Sequence, residues 1–241
     1  MNKYYVLLLC FSGIFNVMAE EVSANELISH KERVKQAILK FEDTRTEHWS
    51  YKVSRFENEE GEITSSIEQY FPQENDRWLL KQINGQQPSK KQIQSFAKKK
   101  QKESNKGEEG GNIDLKLREL INQESLSFVS SDDKTIVMAF NVHLKKLGKD
   151  AAGKLQGKLI YQKENQFIEE ILIWNNDEFS PMLTAKITDL AITFTFIHIN
   201  GSILTKKNEM KMKGSFAYFT EINETSVDDF SDYLYLGDQV E

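Results

Sequence analysis

The chain has 241 residues, of which 28% are charged and 39% are hydrophobic, and its formal net charge is −6. This composition is typical of a folded globular protein, and it excludes a polytopic membrane protein and a chain that is disordered throughout. The acidic balance argues against a general nucleic-acid-binding role. Lysines nevertheless concentrate in one stretch, between residues 90 and 106.

The first nineteen residues have the pattern of a cleaved secretory signal peptide. Lys3 precedes an apolar run from Val6 to Val17, and the small residue Ala19 ends the segment. The run is shorter than the roughly 20 apolar residues that span a bilayer, so the pattern favours cleavage over a membrane anchor. We therefore expect a periplasmic protein of a Gram-negative cell, with residues 20–241 forming a single domain.

Motifs for metal binding or catalysis are missing from the sequence. The single cysteine, Cys10, lies within the leader-like segment, so the mature chain would have no disulfide, thiol nucleophile or cysteine metal ligand. The four histidines lack metal-binding spacing, and no nucleophile-elbow or phosphate-binding glycine motif occurs. We therefore expect no catalytic residues, metal or cofactor, and an enzyme is the least favoured class of function.

The N-terminal part of the chain predicts one helix followed by three strands. Residues 24–44 place apolar side chains such as Val34 and Ile38 at helical spacing. From Glu47 the apolar residues alternate with polar ones, which predicts a β-hairpin with its turn at Glu60-Gly61. A third strand is predicted over residues 77–83.

The lysine-rich stretch predicts a thin, largely solvated helix within a region of about residues 89–112. Ser89 and Gln92 have the spacing of a capping box, which marks the helix start, and the glycines among residues 106–112 predict a loop. The lysines form a candidate surface for an acidic envelope protein or an anionic membrane, although a solvated face without a partner is the alternative. The candidate residues are Lys90, Lys91, Lys98, Lys99, Lys100 and Lys102.

The rest of the chain predicts mostly strands. A short helix is predicted from Asp114 as its N-cap, and residues 145–154 are too polar to hold a core position. Asn200-Gly201 predicts a tight hairpin turn. The predicted strands are residues 125–129, 135–142, 158–162, 167–174, 186–199, 202–220 and 230–236.

About ten strands joined by short turns predict a mainly β (α+β) fold. A meander of this size curls into an antiparallel half-barrel, and the helices would cover its open concave side. The aromatic side chains on the strands either pack together as a core or line a cavity. The candidates for an apolar ligand cavity are Trp49, Tyr51, Trp78, Phe140, Trp174, Phe194 and Phe196.

Several stretches carry a resemblance to a known family. They are residues 78–88 (WLLKQINGQQP) with residues 93–96, residues 155–159, residues 179–181 with 186–187, and residues 230–233 (FSDY). In their order, these stretches resemble uncharacterised branches of the outer-membrane lipoprotein-sorting (LolA-like) superfamily, over residues 27–236. The resemblance implies a curved, incomplete antiparallel barrel with helices over its open side and an apolar cavity for acyl chains. The basic helix and glycine loop have no counterpart in the lipoprotein carrier itself.

Two functions remain open from the sequence. In the leading hypothesis, a monomeric periplasmic carrier-type protein holds a lipid or the acyl chains of a lipidated protein between the sheet and residues 27–41. In the alternative, an envelope protein-interaction or sensing module uses the basic helix at residues 90–106 and transports no lipid. Neither hypothesis includes a nucleic-acid partner.

Overall fold

A computed structural model of the chain describes residues 22–74, 77–105, 116–143, 147–217 and 220–237. The predicted signal peptide and the predicted glycine loop lie outside the described residues.

The described residues form one open antiparallel sheet of 11 strands, in the order β3-β2-β1-β11-β10-β9-β7-β6-β5-β4, with β8 paired to β9 beside this path. Its two edge strands, β3 and β4, do not pair with each other, so the sheet stays open. This open, curved sheet confirms the predicted half-barrel. The strands are β1 Trp49–Glu59, β2 Glu62–Tyr70, β3 Trp78–Ile83, β4 Ser127–Ser131, β5 Thr135–Asn141, β6 Leu155–Gln162, β7 Phe167–Asn175, β8 Phe179–Met182, β9 Ala185–Ile199, β10 Ser202–Phe216 and β11 Thr220–Tyr235.

In the described ranges, three α-helices accompany the sheet: α1 Ala24–Glu42, α2 Lys90–Asn105 and α3 Leu117–Leu120. The predicted capping box of α2 is confirmed, because the Gln92 backbone N–H donates to Ser89 Oγ at 3.3 Å and the Ser89 N–H donates to Gln92 Oε1 at 2.8 Å. The predicted start of α3 is wrong. Its N-cap is Lys116, which makes no side-chain capping bond, and Asp114 lies outside the described residues.

The strand boundaries differ from the prediction near the C-terminus. The predicted strand 202–220 ends early, because Ala217 adopts a positive φ of 50° and the chain turns there. The final strand then starts at Thr220, ten residues before its predicted start, and runs for 16 residues. Its first half is rich in acidic and polar residues, so it lacks the alternation of apolar and polar residues that predicts a strand. The four-residue β8 contains Pro181 and was not predicted as a strand.

Among the described residues, two hydrophobic clusters lie on the sheet. The main core joins α1 and α3 to strands β5–β9 and the start of β10, with Phe128 of β4 packed against it, and it includes Ala151 at 2% exposure. The prediction that residues 145–154 hold no core position is therefore wrong at Ala151. Its side chain is small and apolar, so it packs into the main core although its neighbours are polar. The second cluster consists of Tyr51, Val53, Tyr70 and Phe230, with Trp78 and Tyr233 packed against it. It lies on strands β1–β3 and β11.

Candidate functional site

Three charged residues on strands β1, β2 and β11 point to the face that carries the second cluster. Arg55 lies opposite Ser66 on β2 and opposite Asp228 on β11, while Val53 lies opposite Glu68 and Phe230. Cross-strand partners share a face, and so do residues two apart on one strand. Arg55, Glu68 and Asp228 therefore project to the same side of the sheet as the buried Val53.

These charges form an ion cluster with two residues of α2. Arg55 donates through Nε to Glu68 Oε1 at 2.9 Å, and through Nη1 to Asp228 Oδ2. The ammonium of Lys100 lies 3.0 Å from Glu68 Oε2 and 3.7 Å from Glu103 Oε2. The Glu68 side chain is 6% exposed and that of Lys100 is 10% exposed. The cluster therefore ties α2 to the sheet through largely buried charges.

Burial and charge shift the pKa values of the cluster in different directions. Burial acts to raise the pKa of Glu68, but the charges of Arg55 and Lys100 and their hydrogen bonds outweigh it, so this pKa lies below its ordinary value. Burial lowers the pKa of Lys100 in spite of the neighbouring Glu68. Burial also raises the pKa of Asp228 in spite of Arg55. The cluster therefore favours the ionised form of Glu68, while burial favours the neutral forms of Lys100 and Asp228.

Two aromatic rings also lie close to the Lys100 ammonium. Its Nζ lies 4.3 Å from the centroid of the Trp78 ring and 5.3 Å from that of Phe96. Trp78 in turn lies 5.0 Å from Tyr70 and 5.9 Å from Tyr51, measured between ring centroids. Carboxylates and aromatic faces both stabilise a cation that lies next to them. Lys100 therefore holds α2 against the sheet.

A groove of about 560 Å³ runs between α2 and strands β1–β3. Its volume lies within the range of roughly 300–1,000 Å³ that small-molecule sites occupy. Leu80, Ile83 and Phe96 supply apolar surface, and the remaining lining side chains are charged or polar. The polar part of the lining consists of Arg55, Glu57, Thr64, Ser65, Ser66, Glu68, Lys91, Gln92, Ser95 and Lys99.

The seven aromatic residues predicted to line one cavity are distributed over three places. Phe140, Phe194 and Phe196 are buried in the main core. Tyr51 and Trp78 belong to the second cluster, and Trp49 lies beside it, 6.2 Å from the ring of Tyr233. Trp174 lies on the opposite face of the sheet, since it alternates with the buried Ile173, and its ring is 5.8 Å from the Lys158 ammonium. Trp78 is the member of the set that contacts α2 through Lys100.

The six lysines predicted to form one surface also separate. Lys90, Lys98 and Lys102 are exposed, and so are Lys91 and Lys99, which line the groove. The assignment of Lys100 to an exposed surface is wrong, because its side chain lies within the ion cluster.

The space between α1 and the sheet was the predicted place for a ligand. Val34, Ala37 and Ile38 of α1 are 1–2% exposed and pack directly into the main core. Side chains of the protein itself therefore occupy this interface, and the groove beside α2 becomes the candidate site.

Sequence reasoning missed the charged residues under α2. Arg55 stands two residues after Val53, Glu68 two before Tyr70 and Asp228 two before Phe230. Each is therefore a charged residue at an inward position of its strand, next to a buried apolar or aromatic one. This signal was available, although alternation alone does not reveal which strands are neighbours.

Comparisons with known proteins add little to this description. No protein-family model matches the chain, and no curated protein matches it. The crystal structure of a DUF1329 family protein from Desulfovibrio piger is similar over 87% of this chain and 92% of that chain, with 10% identity and a TM-score of 0.35. A similarity this weak assigns neither a family nor a function to the chain.

Two negative findings concern the described part of the chain. Within those residues, no group of three or more His, Cys, Asp or Glu side chains is placed to hold a metal ion. None of the helices in the described ranges has the length and hydropathy of a membrane span.

Proposed function

We propose that the protein is a binding protein of the cell envelope that holds an amphiphilic ligand, a lipid or the acyl chain of a lipidated protein, in the groove between α2 and strands β1–β3. The observation that carries this proposal is the lining of the groove. Leu80, Ile83 and Phe96 offer an apolar wall, while charged and neutral polar side chains line the remainder. A ligand with an apolar chain and a polar head matches both parts.

The way α2 is held supports the proposal. α2 has a narrow apolar face, on which Phe96 is partly buried and Ile93 is 45% exposed, and Lys100 anchors it through ion pairs. A helix held mainly by a few polar contacts can move away from a sheet at a lower cost than one embedded in an apolar core. The groove can therefore widen around a chain-like ligand without disturbing the main core.

Two sequence features agree with a place in the envelope. The leader-like residues 1–19 support export to the periplasm of a Gram-negative cell, and the stretches that resemble the LolA-like superfamily support a lipid or a lipidated protein as partner. In this role the protein is a monomeric carrier without a catalytic step.

Tryptophan quenching tests whether the ligand sits beside α2. Terminally brominated hexadecanoate quenches tryptophan at short range, and Trp78 and Trp174 lie on opposite faces of the sheet. We expect quenching in the unmodified protein and in the Trp174→Phe variant, and loss of most quenching in Trp78→Phe. Quenching that survives in Trp78→Phe, or none in any of the three proteins, would overturn the proposed site.

A charge placed in the apolar wall provides a second test. Phe96→Asp should abolish hexadecanoate binding, because the carboxylate would replace the apolar surface of the wall. Ala97→Asp is the matched control, since Ala97 is the next residue of α2 and is exposed. Displacement of a fluorescent fatty acid measures both variants, and equal affinities would contradict the assignment of Phe96 to the site.

The exposed lysines of α2 support a second candidate function, an interaction module for an acidic envelope protein or an anionic membrane surface. Lys90, Lys98 and Lys102 point to solvent outside the groove. In this case the protein should bind anionic vesicles or an acidic partner in a salt-sensitive manner, and it should leave hexadecanoate unbound.

A further inference from the structure

We propose that the groove beside α2 selects a single-chain amphiphile with an anionic, carboxylate-type head, and that Lys91 and Lys99 recognise this head. The inference rests on the proposed function, because it names the chemistry of the ligand that the same groove would hold. It concerns the charges that remain on the groove once the internal ion pairs are accounted for.

The deepest charges of the groove neutralise one another. Arg55 is paired with both Glu68 and Asp228, and Lys100 is paired with Glu68. Asp228, Lys100 and Glu103 do not line the groove, and the two cluster residues that do, Arg55 and Glu68, have a formal sum of zero. A ligand therefore meets the field of the remaining lining charges, which are Lys91, Lys99 and Glu57.

The remaining charges of the lining favour an anion. Lys91 and Lys99 are not ion-paired within the part of the chain that the structure describes, and both are exposed at the groove. The Glu57 carboxylate accepts a hydrogen bond from Thr64 Oγ1 at 3.5 Å on the opposite wall. Two cations against one carboxylate leave a formal charge of plus one, next to hydroxyl and amide groups that can bond a carboxylate.

The two lysines flank the groove because of the helical period. Lys91, Ser95 and Lys99 follow each other at intervals of four residues, so they form one row on the side of α2 that faces the groove. The rise of the helix separates Lys91 from Lys99 by about 12 Å along its axis. The row lies next to Phe96, so a head held by the lysines leaves its chain beside the apolar wall.

The same helix offers a matched control for this row. Lys90 and Lys98 have the same spacing of eight residues, are exposed, and are absent from the groove lining. The double variants Lys91→Gln/Lys99→Gln and Lys90→Gln/Lys98→Gln remove equal charge from α2. They differ in whether the lost charges face the groove.

The experiment measures the affinities of three probes with equal chain length: tetradecanoate, monomyristoylglycerol and tetradecyltrimethylammonium. We expect the unmodified protein to prefer tetradecanoate and the preference to weaken as salt rises. Lys91→Gln/Lys99→Gln should weaken tetradecanoate binding roughly tenfold, as two partly screened contacts allow. Binding of monomyristoylglycerol should change less than about twofold, and the control variant should retain the preference.

The outcomes separate this inference from the proposed function. Failure of all three probes to bind would overturn both. Binding of monomyristoylglycerol as tightly as tetradecanoate, or equal effects of the two double variants, would overturn the anionic head while leaving the proposed function intact. Tighter binding of the ammonium probe would overturn it in favour of a cationic head held by Glu57.

Discussion

The helices α1 and α2 are held against the sheet by different forces. α1 inserts Val34, Ala37 and Ile38 into the main core, where each is at most 2% exposed. α2 rests on the opposite half of the sheet through the ion pair of Lys100 with Glu68 and the partly buried ring of Phe96. Apolar burial is insensitive to pH and weakly sensitive to salt, whereas an ion-held contact responds to both. α1 therefore belongs to a structural half of the molecule, and α2 covers the half that we propose to bind a ligand.

The largest loss of stability is expected from a substitution in α1. Ile38→Ala removes a fully buried side chain and leaves a cavity, so the free energy of unfolding should fall by about 2–5 kcal/mol. Urea unfolding followed by circular dichroism measures this loss. Leu39→Ala is the control, because Leu39 is on the same helix and is 39% exposed. Equal losses in the two variants would contradict the assignment of α1 to the main core.

A smaller, local effect is expected in the α2 half. Lys100→Met removes the ammonium but keeps an apolar chain, and Glu68 retains its bond from Arg55. Docking of α2 should weaken by about 1–3 kcal/mol, with little change in global unfolding. Hydrogen exchange of the α2 amides measures the docking, and Lys98→Met serves as the exposed control. A global loss as large as that of Ile38→Ala would show that the two halves are not separable.

Acid should release α2 before it unfolds the main core. The folded pKa of Glu68 lies below its ordinary value of 4.5, so Glu68 contributes stability that is present above pH 4.5 and is lost as the pH falls through the folded pKa. Asp228 acts in the opposite sense, because its raised pKa favours the folded state on protonation. The lowered pKa of Lys100 acts at alkaline pH, where stability rises as this group loses its proton.

The acid transition can be followed through the part of the tryptophan emission that Trp78→Phe removes. We expect this emission to change below pH 4.5, while far-ultraviolet circular dichroism still reports an intact sheet. Glu68→Gln cannot titrate at this position and should lack the transition. An identical transition in Glu68→Gln would assign the acid response to another group.

The smallest effect concerns the start of α2. Ser89→Ala removes the side-chain cap and should weaken α2 by about 1 kcal/mol, since the Gln92 N–H loses its acceptor. Faster exchange of amides in the first turns of α2 is the expected readout. Gln94→Ala, at an exposed position within the helix, should leave exchange unchanged or slow it. Equal exchange in the Ser89→Ala variant and the unmodified chain would show that the Ser89 side chain does not stabilise the start of α2.

Local patterns in the sequence predicted the parts of the fold that depend on near neighbours. The helical spacing of Val34 and Ile38, the Ser89 and Gln92 capping box, and the Asn200-Gly201 turn each involve residues within a few positions of one another. Both turn residues have the positive φ that this hairpin requires, at 49° and 89°. The curved antiparallel sheet followed from these short-range signals.

The candidate site depends on contacts that the local sequence does not encode. Arg55 and Asp228 are 173 residues apart and meet because β1 pairs with β11. Lys100 belongs to a run of lysines, and its burial follows from the direction in which α2 docks rather than from its neighbours in the chain. The aromatic residues were identified as a set, but their division between two clusters and the opposite face follows from strand order.

Hydrogen exchange measured on both helices, with and without hexadecanoate, tests most directly whether α2 covers a ligand-responsive half. We predict that the amides around Val34 and Ile38 in α1 exchange as slowly as the main core. The amides of α2 should exchange at least about a hundredfold faster and should slow when hexadecanoate is added. Equal protection of the two helices, or α2 exchange that hexadecanoate leaves unchanged, would contradict the division of the molecule into a structural and a ligand-binding half.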